Sequence, residues 1–121
     1  MVQKEKNLKK DRGVISNVKI VRISSLPRKP APVGFHDTEI IVVTAKKDGE
    51  SVKETFYTCI KPDHTVDVIP LGRGKSTLQR LYRFVKYYKL AEKLEGYDIV
   101  AGIKTWIGKP VEIVNEKIYI P

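Results

Sequence analysis

Three groups of residues in this chain have types and spacings suited to chemistry. The first is the run Val68–Arg80, VIPLGRGKSTLQR, in which an apolar stretch leads through Gly72 and Gly74 to Lys75-Ser76. A phosphate-binding loop reads G-x-x-x-x-G-K-[ST], and its glycines let the backbone wrap phosphates. Here the first of those glycines falls at Ile69. Asp98 stands before its apolar run instead of capping it, so no aspartate is placed to hold magnesium. Ser76-Thr77-Leu78-Gln79 instead fits a capping box, in which a serine hydroxyl and a glutamine amide satisfy free backbone donors at a helix start. The second group is His36 and His64, each beside a carboxylate in GFHDTE and PDH. Two histidines 28 positions apart in loops have no metal-ligand spacing, and Asp37 and Asp63 are turn formers. No nucleophile and base pair stands out, so a non-enzymatic protein with no cofactor and no metal is expected.

The third group mixes arginine with aromatic rings. In the segment after Ser76, Leu78, Leu81, Tyr82, Val85 and Tyr88 recur at helical spacing as a core stripe. Arg80, Arg83, Phe84 and Tyr87 then fall on the other side. Cationic planes and aromatic rings together hold phosphates and stack bases. They equally suit a protein interface or packing beneath a loop, and the sequence leaves both open.

Charge separates these options. The chain has 121 residues with 23 Lys and Arg against 14 Asp and Glu, a net charge of +9. Its pI is near 9.7. That balance favours polyanionic partners: nucleic acid first, acidic proteins or anionic surfaces second. Residues 1–12 hold a net +3, so most of the excess lies on the body of the chain. No apolar run is long enough to span a bilayer, and the N-terminus has no apolar signal-like region, so no membrane association is expected. The lone Cys59, set in FYTCIKP, reads as a small strand hydrophobe. A reducing cytoplasm fits it. Abundant Lys, Ile, Val and Tyr with only Gln3 and Gln79 lean towards a thermophile's composition.

Elements to position these residues can be read from the pattern. Residues 1–12 are expected to form a flexible basic arm, and residues 13–121 one domain. Val14–Ile23 reads as a first strand. Ser24–Asp37, with Pro27, Pro30 and Pro32, reads as an extended surface loop. Thr38–Lys47 is the strongest strand, and the Asp48-Gly49 turn returns it as Ser51–Lys61. A short strand over Thr65–Pro70 is expected, then one helix from Ser76 to Leu94. Residues 95–107 fit strand or helix. Val111–Val114 and Lys117–Ile120 close the chain as strands around an Asn115-Glu116 turn.

This layout resembles the OB-fold of small single-strand-binding proteins of phage and archaeal type. The resemblance is carried by the hairpin Thr38–Lys61, the helix opening GKSTLQRLYRF and the re-entry strand IGKPVEIVNEKIYI. It implies a mainly β barrel of five to six strands with one covering helix, and single-stranded DNA or RNA bound with little sequence preference. It further implies a clasping loop Ser24–Asp37 contributing Arg28, Lys29 and Phe35, and a strand face offering Lys19, Arg22, Lys53 and Tyr57. Trp106, next to Lys104 and Lys109, is either a further stacking ring or a half-buried barrel residue. The tight Asn115-Glu116 turn departs from the long basic loop usual there. The alternative function is an interaction module that docks an acidic protein, or self-associates, through Arg80, Phe84 and Tyr87.

Overall fold

A computed structural model describes residues 10–28, 37–68 and 76–121. The arm up to residue 9, Lys29, Phe35, His36, the glycine-rich run ending at Lys75 and the side-chain cap at Ser76 lie outside the described residues. Five antiparallel strands, β1 (Asp11–Arg22), β2 (Glu39–Lys47), β3 (Glu50–Thr58), β4 (Pro110–Val114) and β5 (Lys117–Ile118), form one sheet in the order β3-β2-β1-β4-β5. β5 returns beside β3, so the sheet nearly closes into a barrel. Two helices, α1 (Ser76–Tyr87) and α2 (Ile99–Trp106), lie between β3 and β4 in sequence. The first packs against β3 and the second against β1. No helix among the described residues is long and apolar enough to cross a membrane.

The strands form where β-branched residues alternate, and a bulge makes that alternation work. Along β1, Gly13 and Ile15 are buried, and so is Val18, three residues beyond Ile15. Strict alternation would turn Val18 outward. The register slips between Ile15 and Asn17, which restores an inward Val18 opposite Val43. The β2–β3 turn has φ of 52° at Asp48 and 83° at Gly49, the left-handed pair that a two-residue hairpin needs. Asn115 and Glu116 have φ of 53° and 63° and turn β4 into β5 in the same way.

Four expectations change. β1 starts at Asp11, so Asp11 and Arg12 belong to the sheet, paired with Ile113 and Glu112, and not to the arm. The strand expected from Thr65 is, among the described residues, a single bridge between Ile60 and Val66. The expected helix to Leu94 stops at Tyr87. There Lys89 takes a left-handed φ of 54°, its N–H donates to the Lys86 carbonyl, and the Leu90 N–H donates to the Val85 carbonyl. This is a Schellman-type stop, and it turns Leu90 into the core against Val85. Finally, the ambiguous segment holds a second helix, capped by Asp98, whose carboxylate accepts the Ala101 N–H at 3.0 Å.

The core lies between the inner sheet face and the helices. Ile15, Ile41, Val43 and Phe56 meet Leu81, Phe84 and Val85 of α1 and Ile99 and Trp106 of α2. Phe84 sits at the centre, its ring centroid 4.9 Å from Phe56, 5.4 Å from Tyr88 and 6.0 Å from Trp106. Such tilted and edge-on pairs add to what burial alone contributes.

Candidate nucleic-acid interface

Residues directly opposite one another in antiparallel strands share a face. On the outer face of β1, β2 and β3 the register gives four rows: Val14, Lys46, Ser51; Asn17, Thr44, Lys53; Lys19, Val42, Thr55; and Val21, Ile40, Tyr57. Lys19, Lys46 and Lys53 are exposed, Tyr57 is half-buried, and no carboxylate occurs in any row. The face therefore combines ammonium groups, small polar groups that can donate and accept, and one aromatic ring over a β-branched patch. It brings together Lys19, Lys53 and Tyr57, and adds Lys46. Lys109 is exposed at the start of β4, where Pro110 pairs with Val14 beside the first row.

Arg22 has the opposite register, opposite Glu39, and leads off the end of β1 into an open groove of about 960 Å³. Arg22, Arg28 and Lys61 line it, with Ile23, Leu26 and Ile60 among its apolar surface and Asp37 and Glu39 among its carboxylates. The Glu39 carboxylate is already engaged: it accepts the Ile60 N–H at 2.9 Å and the Thr38 hydroxyl. Asp37 also has a partner. Arg22, Arg28 and Lys61 make no ion pair among the described residues. Lys61 was not singled out by the sequence, because only the pairing of β3 with β2, and of β2 with β1, brings the end of β3 to this groove. Below it, the Asp63 carboxylate accepts the Thr65 hydroxyl at 2.6 Å and the Thr65 N–H at 3.0 Å. These two bonds hold its pKa below the ordinary carboxylate value and fix the turn. Among the described residues no three His, Cys, Asp or Glu side chains converge as a metal site requires.

On α1 the arginine and aromatic residues mostly hold the protein together. Arg80 donates to the Glu54 carboxylate and, at 2.9 Å, to the Thr55 carbonyl, with its guanidinium 4.9 Å from the Phe56 ring centre. Glu54 is buried, so this arginine supplies its counter-charge. Arg83 donates to the Pro121 carbonyl at 2.8 Å and ties down the C-terminal residue. Phe84, expected on the outer side, is fully buried, because the helix packs against the sheet on one side and α2 on another. Trp106 is fully buried too, its indole N–H donating to the Tyr97 hydroxyl at 3.1 Å, so neither ring is presented to a base. Lys104 is exposed on α2.

Tyr87 keeps 38% of its surface exposed. Its hydroxyl donates to Glu112 at 2.6 Å, and Tyr88 and Tyr119 stand edge-on to its ring. Lys10 completes the cluster, 4.2 Å from the Tyr119 ring centre and 3.7 Å from Glu112. The hydrogen bond to Glu112, more than desolvation, pushes the Tyr87 pKa up to about 12. Glu112, at the centre of this cluster, already accepts the Tyr87 hydroxyl and stands beside Lys10. Comparison with protein-family models, curated proteins and solved structures finds no match to this chain.

Proposed function

We propose that this protein binds single-stranded nucleic acid, with little sequence preference and without catalysis, across the outer face of β1–β2–β3. The observation that carries the reading is the sorting of charge on that face: Lys19, Lys46 and Lys53 stand in adjacent rows with Tyr57 and no carboxylate among them. These lysines make no ion pair among the described residues, and such lysines neutralise phosphates and release condensed cations, while an aromatic ring stacks any base. The strand arrangement supports the reading as well. In an OB-like barrel the exposed face of the second and third strands, with the loop after the first, is where single strands lie. The tight Asn115-Glu116 turn offers no second clasp, so binding relies on the face and the Ser24–Asp37 side.

The test is fluorescence anisotropy with labelled single- and double-stranded oligonucleotides across a salt series. Three phosphate contacts correspond to a slope of about −2 in log K against log salt for single strands. Tyr57→Ala is expected to cost about 1–3 kcal/mol, and Lys19→Glu with Lys53→Glu to flatten the slope. Equal, weak binding of every polyanion that disappears at physiological salt would reject this function. An acidic protein partner on the same lysines would then be the reading to pursue.

A further inference from the structure

The outer strand face is lopsided from end to end. In a reading that rests on the function proposed above, we infer that its ligand is a short single strand held by one base, stacked on Tyr57, and by the phosphates on one side of that base only. The outward rows follow one another at every second residue of β2 and β3, with Lys46 in the first, Lys53 in the second, Lys19 in the third and Tyr57 in the fourth. Lys109, exposed where Pro110 pairs with Val14, lies at the first-row end as well. The lysines of the face therefore all stand to one side of the ring. Beyond the ring, the groove at the end of β1 sets Asp37 and Glu39 among its cations, so a phosphate there meets repulsion as well as attraction. Ile40 lies directly opposite Tyr57 and Val21 directly opposite Ile40, so the phenol hydroxyl is the only polar side-chain group in that row. A base on this ring is held by stacking and apolar contact, which accept any base. No other residue in the four rows is aromatic, so the remaining bases have no ring to stack on. Ser51 and Tyr57 mark the first and fourth rows on β3, a span of about 20 Å at about 3.4 Å per residue. It matches about six steps of a strand that advances about 3.4 Å per nucleotide, or about three of one drawn out to twice that rise.

Hexanucleotides that carry thymine at one position and abasic sugars at the others test this, each competing at low salt with labelled oligothymidylate. With thymine at one terminus, all the phosphates run over the lysines. With thymine at the other, they run out beyond the ring. Affinity is therefore expected to rise steadily towards one terminus, by about tenfold or more between the two, and that terminus gives the direction of the strand along β3. The wholly abasic hexamer should bind about five- to a hundredfold more weakly than the best of the set, the range for one lost stack. In Tyr57→Ala the single-thymine hexamers should all fall to the abasic level, because base and ring act as one pair. Lys46→Ala with Lys53→Ala should narrow the gap between the two termini, and unchanged emission of the buried Trp106 shows that each variant folds. The inference fails if the two termini bind equally or the middle positions bind best, if the abasic hexamer binds as tightly as the best single-thymine one, or if the hexamers still differ in Tyr57→Ala. Should any of these hold while oligothymidylate binds, the proposed function stands and the one-base, one-sided ligand falls. If oligothymidylate itself does not bind, both fall.

Discussion

Replacing Arg80 by alanine separates a structural arginine from a nucleic-acid contact. Glu54 lies in the inward row opposite Val43, next to the buried Phe56, with its side chain 8% exposed. Removing Arg80 strips that carboxylate of its counter-ion, frees the Thr55 carbonyl and uncovers the Phe56 ring. Breaking a fully buried pair from one side costs about 3–5 kcal/mol. The Arg80 side chain is 37% exposed, so water reaches the vacated space and solvates part of the carboxylate. A loss of about 2–3 kcal/mol is therefore expected, roughly 10 °C in Tm for a domain of this size. Urea denaturation followed by the emission of the buried Trp106, the one tryptophan in the chain, measures it directly. The slope against urea should stay constant, because the surface exposed on unfolding does not change. Pairing Arg80→Leu with Glu54→Leu should restore most of the stability, since no charge is then buried. A loss in Arg80→Ala below about 1 kcal/mol would place the pair among solvated surface pairs and refute the reasoning. The same variant below its transition should bind oligonucleotides within about twofold of the parent. A weaker complex with a salt slope shallower by about 0.7 would instead return Arg80 to the phosphate-binding set.

Three further outcomes are expected. Gly102→Ala gains up to about 1 kcal/mol of helix propensity, yet its methyl would overlap the Tyr97 ring and hydroxyl, so chemical denaturation should show a net loss as the Tyr97–Trp106 hydrogen bond breaks. Glu116→Gly relieves a left-handed φ of 63° on a residue with a Cβ, and a stabilisation of up to about 1 kcal/mol by the same assay is expected. In an ultraviolet titration Tyr87 should ionise at about pH 12, and Glu112→Gln should bring it back towards 10. Its folded pKa is the higher one, so its contribution to stability is complete below pH 10 and is lost as the pH rises through 10 to 12.

The hairpin was legible because its signals are local: an unbroken β-branched run in β2, an Asp-Gly turn, and alternation in β3. The helix faces were not, because the signal was wider than one stripe. Leu78, Leu81, Val85 and Tyr88 belong to the expected face, but Phe84 fits the same periodicity on its flank. Which flank is buried depends on a second partner, and that partner is α2, whose Asp98 cap was present in the sequence but not recognised as a helix start. The misplacement of Phe84 and the open reading of Trp106 share this cause. Lys46 on the outer face was missed for a different reason. Its relation to Lys19 and Lys53 depends on the β1–β2–β3 register, and that register passes through a bulge no local rule places.

That bulge also decides why the interface reading rests on sorting and not on net charge. The carboxylates within β1, β2 and β3 are Asp11, Glu39, Glu50 and Glu54. Each has the inward register or lies at a strand end: Asp11 opposite Ile113, Glu39 opposite Arg22, Glu50 opposite Lys47 and Glu54 opposite Val43. Cations accompany two of them in direct contact: Lys47 lies 2.8 Å from Asp11, and Arg80 pairs with Glu54. The lysines left over fall in the outward rows. A chain of the same composition without the slip between Ile15 and Asn17 would turn Lys19 inward with Val18 outward, and would lose both the core contact and the outer lysine. Core packing therefore fixes the position of the charge. The +9 of the whole chain predicts attraction to any polyanion, whereas a face of three lysines and one tyrosine predicts a defined site size, a defined salt slope and sensitivity to one ring.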